Sequence, residues 1–197
     1  MKTERVFLMK LRFAVVLLAS LLLVSCGRGA EVSETSGVGR YTEIAGRVET
    51  ESVEVTYQAL YSRTDGYIEK KTYPYITLLN TRSELEKYTA DHEGLYDFYE
   101  NYSSEGFYDI VTPYDAVFFA DNSLIMILLE EGSGSIRHAV SGVEYENGET
   151  TITITRIVPE VCTDDMAEWH VVVEIPKDSP VLEHPENIKV KFENVQE

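Results

Sequence analysis

The sequence predicts an α+β fold: an antiparallel β meander with one or two helices packed on one face. Several segments alternate apolar and polar residues with the period of two that marks a half-buried strand. One stretch instead shows helical spacing behind a capping sequence, and short turns separate the C-terminal strands, which favours antiparallel pairing. An apolar fraction of 44% and an aromatic fraction of 11% are enough for a core in a chain of 197 residues.

The first 25 residues have the composition of an export signal. Four basic residues and one acidic residue precede an uncharged run of twelve, 13–24 (FAVVLLASLLLV). This run is too short to span a bilayer, which takes ~20 apolar residues, but it suits the hydrophobic region of a signal peptide. The run ends in Leu23-Val24-Ser25-Cys26, which resembles the lipobox of bacterial lipoproteins.

The lipobox resemblance implies cleavage before Cys26 and a diacylglyceryl group on the Cys26 sulfur. Two acyl chains bury enough methylenes for stable anchoring, whereas one does not. We therefore expect an extracytoplasmic protein attached to the cell membrane through its lipid. An ordinary cleaved signal with a free cysteine is the alternative; a transmembrane anchor fits less well, because polar residues follow Cys26.

The mature chain divides into a tether and a domain. Residues 26–43 are rich in Gly, Ser, Thr and Glu and predict a flexible tether, and residues 44–197 predict a single α+β domain. Without residues 1–25 the chain keeps 13 basic and 33 acidic residues, a net charge near −20. We expect no nucleic-acid partner, since binding phosphates requires clustered Lys and Arg. An anionic membrane surface repels this charge too, so only the lipid attaches the protein.

The domain is predicted to begin with strands at residues 53–61 and 73–79. The first segment alternates apolar and polar residues. Pro74 marks the second as an edge strand or the entrance to a strand, because proline cannot donate to a ladder.

Helical signals follow these strands. Thr81 and Glu84 have the spacing of a capping box, in which a hydroxyl and a carboxylate satisfy amides at a helix start. Leu85 and Tyr88 then recur on one helical face. Pro113 is placed as the first residue of a second, short helix.

The C-terminal half is predicted to be strands. Residues 124–129 are continuously apolar, as expected for a strand covered on both faces. Asn147-Gly148 is a hairpin signal. Alternating segments at 150–157, 169–175 and 188–192 complete the meander.

Tyrosines mark the candidate contact surface. The segment 88–114 interleaves aromatic and acidic residues, and tyrosine combines an apolar body with a polar tip that suits protein or carbohydrate surfaces. Alternatively, the rings pack a helical layer onto the sheet with their hydroxyls at the solvent edge. The residues predicted to form the surface are Tyr88, Tyr96, Tyr99, Tyr102 and Tyr108.

Glu168, His170 and Glu174 share strand parity and are predicted to face solvent. Carboxylates with an imidazole could bind a metal. However, a strand rises about 3.3 Å per residue, which places Glu168 and Glu174 about 20 Å apart. We therefore predict a solvated face without a metal site, and no cofactor.

Cys162 invites comparison with thiol nucleophiles, with His170 as the base and Asp164 or Asp165 as the orienting group. No oxyanion-donor motif accompanies these residues. A cysteine is more often a small buried hydrophobic residue. We therefore predict that Cys162 is structural, and that it has no disulfide partner if Cys26 is lipidated.

Three stretches carry a second resemblance: 135–138 (SIRH), 157–160 (IVPE) and 163–170 (TDDMAEWH). The surrounding residues, 123–177, resemble small lipoproteins of gut Firmicutes, some of which are similar to the C-terminal domain of the protease-complex subunit family PrcB. The glycine-rich pattern of that family is absent. The resemblance implies a non-catalytic accessory or binding domain and supplies no catalytic residues.

These observations predict a lipid-anchored binding or accessory protein of the cell envelope rather than an enzyme. The partner would be another envelope protein or a glycan. The alternative is an envelope hydrolase that uses Cys162 or a surface carboxylate site.

Overall fold

The structure, a computed structural model of the chain, describes residues 52–66, 71–99 and 104–197. All of them belong to one unit, Arg47–Glu197. The predicted signal peptide (1–25), the tether (26–43) and with it Cys26, and Tyr102 lie outside the described residues.

A central sheet is built around two strands whose sequences are apolar on both faces. Its four strands pair antiparallel in the order β2-β7-β4-β3. The strands are β2 (Gln58–Arg63), β3 (Tyr75–Leu79), β4 (Asn122–Glu131) and β7 (Ala167–Pro176). Six consecutive residues of β4, Leu124 to Leu129, are at most 2% exposed, so the prediction of a strand covered on both faces is confirmed.

A second, outer sheet has the order β1-β5-β6-β8. Its strands are β1 (Val53–Glu54), β5 (Arg137–Glu146), β6 (Glu149–Val158) and β8 (Ile188–Gln196). The predicted hairpin joins β5 to β6, with Asn147 and Gly148 at φ of 54° and 79°, the left-handed values that such a turn needs. The last strand, β8, pairs parallel to β6.

Three short helices cover the face of the central sheet that points away from the outer sheet. They are α1 (Arg82–His92), α2 (Phe107–Val111) and α3 (Phe118–Asp121). The predicted capping box is confirmed, because the Glu84 N–H donates to the Thr81 side chain and the Glu84 carboxylate accepts from the Thr81 N–H.

The prediction that Pro113 begins a helix is wrong. Residues 112–113 and 116–117 form turns, and α3 begins at Phe118. Asp115 provides the start signal, because its Oδ1 accepts hydrogen bonds of 2.9 Å from the amides of Val117 and Phe118. A carboxylate that satisfies two orphan amides outweighs the preference of proline for a first helical position.

Two apolar cores follow from the alternation along β4 and β7. Odd-numbered residues such as Ile127 and Val171 pack against the outer sheet, and even-numbered residues such as Met126 and Val172 pack against the helices. The α+β class, with helices on one face of antiparallel strands, is confirmed. Within the described ranges, no helix is long and apolar enough to cross a membrane.

An ion-pair network holds the loop before β7 against the end of β2. The Arg63 guanidinium donates to both carboxylate oxygens of Asp65 and also reaches Asp165 at 2.9 Å. These partners, Asp65 above all, raise the pKa of Arg63 above its ordinary value.

Candidate functional site

The structure divides the tyrosines of the predicted contact surface into two groups. Tyr88 and Tyr96 are 5% and 4% exposed and belong to the core beneath the helices, so the prediction that they form a surface is wrong. Their rings instead pack the helical layer onto the central sheet, as in the alternative that the sequence left open, but the Tyr88 hydroxyl is buried rather than at the solvent edge. Tyr102 lies outside the described residues.

Tyr99 lies at the surface, as predicted, whereas Tyr108 is partly buried and packs against the core beneath the helices. Tyr99 is 77% exposed, and its ring centroid lies 5.0 Å from that of Tyr108. Both hydroxyls donate to one oxygen of Glu93, at 2.5 and 2.7 Å. These two hydrogen bonds lower the pKa of the Glu93 carboxyl, which therefore stays ionised and holds both rings in place.

A groove of about 200 Å³ lies beside this pair, between α1 and α2. Its floor is apolar, with Leu85 and Val111, and its rim is formed by charged and hydroxyl groups that include Glu86, Glu93 and Tyr108. The groove is smaller than the clefts of ~300–1,000 Å³ that enclose small molecules. It can therefore accept an apolar side chain from a larger partner while Tyr99 and Tyr108 contact the partner beside the groove. We call Tyr99, Tyr108, Glu93 and this groove the tyrosine surface.

The prediction that Glu168, His170 and Glu174 face solvent is wrong for Glu168 and His170, whereas Glu174 is partly exposed. They share one face of β7 as predicted, but the helical layer covers that face: His170 is wholly buried and Glu168 is 6% exposed. Four aromatic rings surround His170 edge-on, with centroids at 4.9 to 5.9 Å; they belong to Tyr88, Tyr96, Phe98 and Phe107.

Burial lowers the pKa of His170 well below its usual value, and the nearby charges of His92 and Lys71 lower it further. The ring is therefore neutral. Its Nδ1 lies 2.6 Å from the Thr64 hydroxyl, while its Nε2 meets no hydrogen-bond partner among the described residues. An imidazole enclosed in this way fills the core beneath the helices and has no contact with solvent.

Glu168 lies beside this aromatic box. Its Oε1 accepts a 3.0 Å hydrogen bond from the Tyr73 hydroxyl. Burial raises the pKa of Glu168 above its ordinary value and raises that of Tyr73 to about 12. Glu174 accepts from the hydroxyl of Tyr114 at 2.8 Å. The three residues of this face thus have separate partners, and the described residues contain no cluster of three or more metal-ligating side chains.

Cys162 and His170 are not brought together. Cys162 is exposed in the loop between β6 and β7, where its thiol meets the carbonyl of Pro159 at 3.7 Å. The prediction of a buried cysteine is therefore wrong. His170 is enclosed beneath the helices and cannot act as a base for a thiol at the surface.

A second cleft, of about 300 Å³, opens where β2, β5 and β7 meet. Its lining includes Tyr61, Arg137, His138 and Trp169, with the Arg137 guanidinium 5.4 Å from the Trp169 ring centroid. The buried Nε1 of Trp169 and Nδ1 of His138 have no hydrogen-bond partner in the described part of the chain.

A buried charge cluster supports the wall of this cleft. Glu131 is 3% exposed and accepts from His138 Nε2 at 2.8 Å and from two nitrogens of Arg156. Burial raises the pKa of Glu131, but the hydrogen bonds from His138 and Arg156 outweigh burial and leave the pKa below its ordinary value. Glu131 is therefore ionised, and His138 Nε2 must carry the hydrogen that it donates.

Sequence reasoning missed this cluster. Glu131, His138 and Arg156 lie on β4, β5 and β6, and no local pattern connects them. The only signal was an acidic residue at the end of a continuously apolar strand, where it must be either exposed or paired.

Comparison of the chain with protein-family models, curated proteins and solved structures gives no match.

Proposed function

We propose that this protein is a lipid-anchored, extracytoplasmic binding protein of the cell envelope, and that its tyrosine surface engages another envelope protein. The location rests on the export signal and on Leu23-Val24-Ser25-Cys26. The binding role rests on one observation: the pair Tyr99 and Tyr108, fixed by a single carboxylate.

Two rings whose hydroxyls are already bound lose little side-chain freedom when a partner packs against them. Such pre-organisation lowers the entropic cost of association, and tyrosine is enriched among the residues that dominate binding energy. The groove beside the rings is too small to enclose a separate ligand, which favours a protein surface over a small molecule. Glu86 is paired with Arg82, which also lines the groove, so Glu93 is the acidic group that favours a partner with a basic side chain.

The experiment is photo-crosslinking in intact cells, with a photoreactive residue in place of Tyr99. We expect a discrete adduct with an envelope protein. Tyr108→Ala in the same chain should weaken that adduct by roughly 10-fold or more, whereas Tyr75→Ala should leave it unchanged. Tyr75 is a matched control because it is a 44% exposed tyrosine on β3, outside the tyrosine surface.

A diffuse adduct pattern, equal in Tyr108→Ala and Tyr75→Ala cells, would refute the binding role of this surface. An adduct with a glycan rather than a protein would keep the surface and refute the protein partner. The anchor is tested separately, by metabolic labelling with an alkyne fatty acid. The wild type should be labelled and Cys26→Ser should not; label that persists in Cys26→Ser refutes the anchor.

A further inference from the structure

The C-terminal strand leaves one edge of the outer sheet open. β8 is the last strand in the order β1-β5-β6-β8, and no described strand pairs with its other side. It is nine residues long, and seven of them, Lys189 and 191–196, are exposed, including Phe192 (41%) and Val195 (51%).

The register shows which backbone groups lie on the open edge. The N–H of Glu197 donates to the carbonyl of Val158, and Val158 pairs with Gln196. Since successive residues of a strand point their backbone groups to opposite sides, the odd-numbered residues of β8 bond to β6. The N–H and C=O groups of Val190, Phe192 and Asn194 therefore point away from the sheet, where another strand could pair with them.

We propose that the chain forms a homodimer in which β8 pairs antiparallel with β8 of a second copy, about a two-fold axis at Phe192. The two outer sheets then become one continuous sheet of eight strands. The hydrogen-bonded pairs are Phe192 with Phe192 of the second copy, and Val190 with Asn194 in both directions. The two half-exposed Phe192 rings cover each other on the same face of the joined sheet.

Charge selects this register. With the axis at Phe192, each Lys191 lies opposite Glu193 of the other copy, and opposite charges at directly facing positions stabilise a strand pair. A slip that moves the axis to Lys191 places Lys191 against itself, and a slip to Glu193 places Glu193 against itself; both are destabilising. In the single chain, Lys191 already donates to Glu193 at 2.8 Å on the exposed face, so both side chains are positioned at the edge.

The experiment is sedimentation velocity of the full chain in a density-matched detergent, up to roughly 200 µM protein, since dimerisation depends on protomer concentration. We expect a reversible dimer. Asn194→Pro removes an edge N–H that β6 does not use, together with the side-chain oxygen that accepts from Arg156 at 3.0 Å, and should weaken the dimer at least 10-fold. Asn194→Ala, the matched control, should change the dissociation constant less than 3-fold.

A charge exchange tests the register. Lys191→Glu should weaken the dimer about 10-fold, because it faces Glu193 of the second copy, and adding Glu193→Lys should restore the dimer to within about 3-fold. A monomeric wild type at the highest concentration overturns the proposal. A dimer that Asn194→Pro leaves intact also overturns the proposal, because another surface must then form the dimer. If the double variant dimerises as weakly as Lys191→Glu alone, the proposed register is wrong. Unchanged thermal unfolding of each variant verifies that the monomer remains folded.

Discussion

The enclosed, neutral imidazole of His170 makes the stability of this protein depend on pH. The side chain is wholly buried, and burial with the nearby charges of His92 and Lys71 lowers its pKa. In the unfolded chain its pKa returns to the ordinary value of about 6.5. Between these two values the unfolded state binds the extra proton, so the free energy of unfolding falls as pH falls below about 6.5.

The size of this effect follows from proton linkage. One proton bound only by the unfolded state changes the free energy of unfolding by about 1.4 kcal/mol per pH unit. We therefore expect His170 alone to remove about 1.4 kcal/mol between pH 7.5 and 5.5. The carboxylates add a further dependence, but one that a His170 variant shares with the wild type.

The perturbation is His170→Gln, which keeps a hydrogen-bonding group near Thr64 but does not titrate. At pH 7.5 the variant should be about 1–2 kcal/mol less stable, because the amide packs less well among four rings. As pH falls, its curve should approach that of the wild type and meet it near pH 5.5. The assay is urea unfolding, followed by Trp169 fluorescence, at half-unit intervals from pH 7.5 to 5.0.

The control is His184→Gln, which removes an exposed imidazole and should not reproduce this convergence. A constant difference between wild type and His170→Gln over the whole range would refute the reasoning, since it would mean that His170 binds a proton equally in the folded and unfolded states.

Two further predictions concern packing and charge. Gly134→Ala should lower the free energy of unfolding by about 1–2 kcal/mol, because a Cβ there would lie 2.2 Å from a guanidinium nitrogen of Arg63. The control Gly132→Ala, whose Cβ would meet nothing within 4 Å, should change the free energy of unfolding little. Equal losses of the two variants in urea unfolding would contradict this explanation. Glu131→Gln should lower the free energy of unfolding, measured by calorimetry, by about 2 kcal/mol, because it removes the charge that the buried donors require. Glu130, on the same strand, is exposed, so Glu130→Gln should change the stability little. A Glu131→Gln variant as stable as the wild type would show that the cluster does not need the charge.

Local sequence signals predicted the elements with a local cause. Thr81 and Glu84 determine the start of α1 through their own hydrogen bonds, and Asn147-Gly148 determines a hairpin through backbone geometry. The continuous apolar run in β4 predicted burial on both faces because no polar residue interrupts it. In each case the residues that form the feature are neighbours in the chain.

The wrong predictions concern residues whose side of the sheet is covered by another layer of the fold. The alternation of residues along β7 correctly placed Glu168 and His170 on the same face of the strand, but it cannot reveal that a helical layer covers that face. The same reason explains the tyrosines: composition marked the segment as amphipathic, but only the packing of α1 and α2 separates buried Tyr88 from exposed Tyr99. The parallel pairing of β8 with β6 and the Glu131 cluster join distant segments, and such contacts leave no local pattern.

The parallel pairing of β8 also sets the order in which the molecule can be completed. The strand follows the other described strands in the chain, and it covers the edge of β6 from Thr150 to Val158. The hairpin of β5 and β6 can form early, because its strands are neighbours in the chain, but the other edge of β6 stays open until β8 pairs with it. A substitution that prevents β8 from pairing would therefore leave this edge of β6 open to strands of other chains, and we expect such a variant to aggregate.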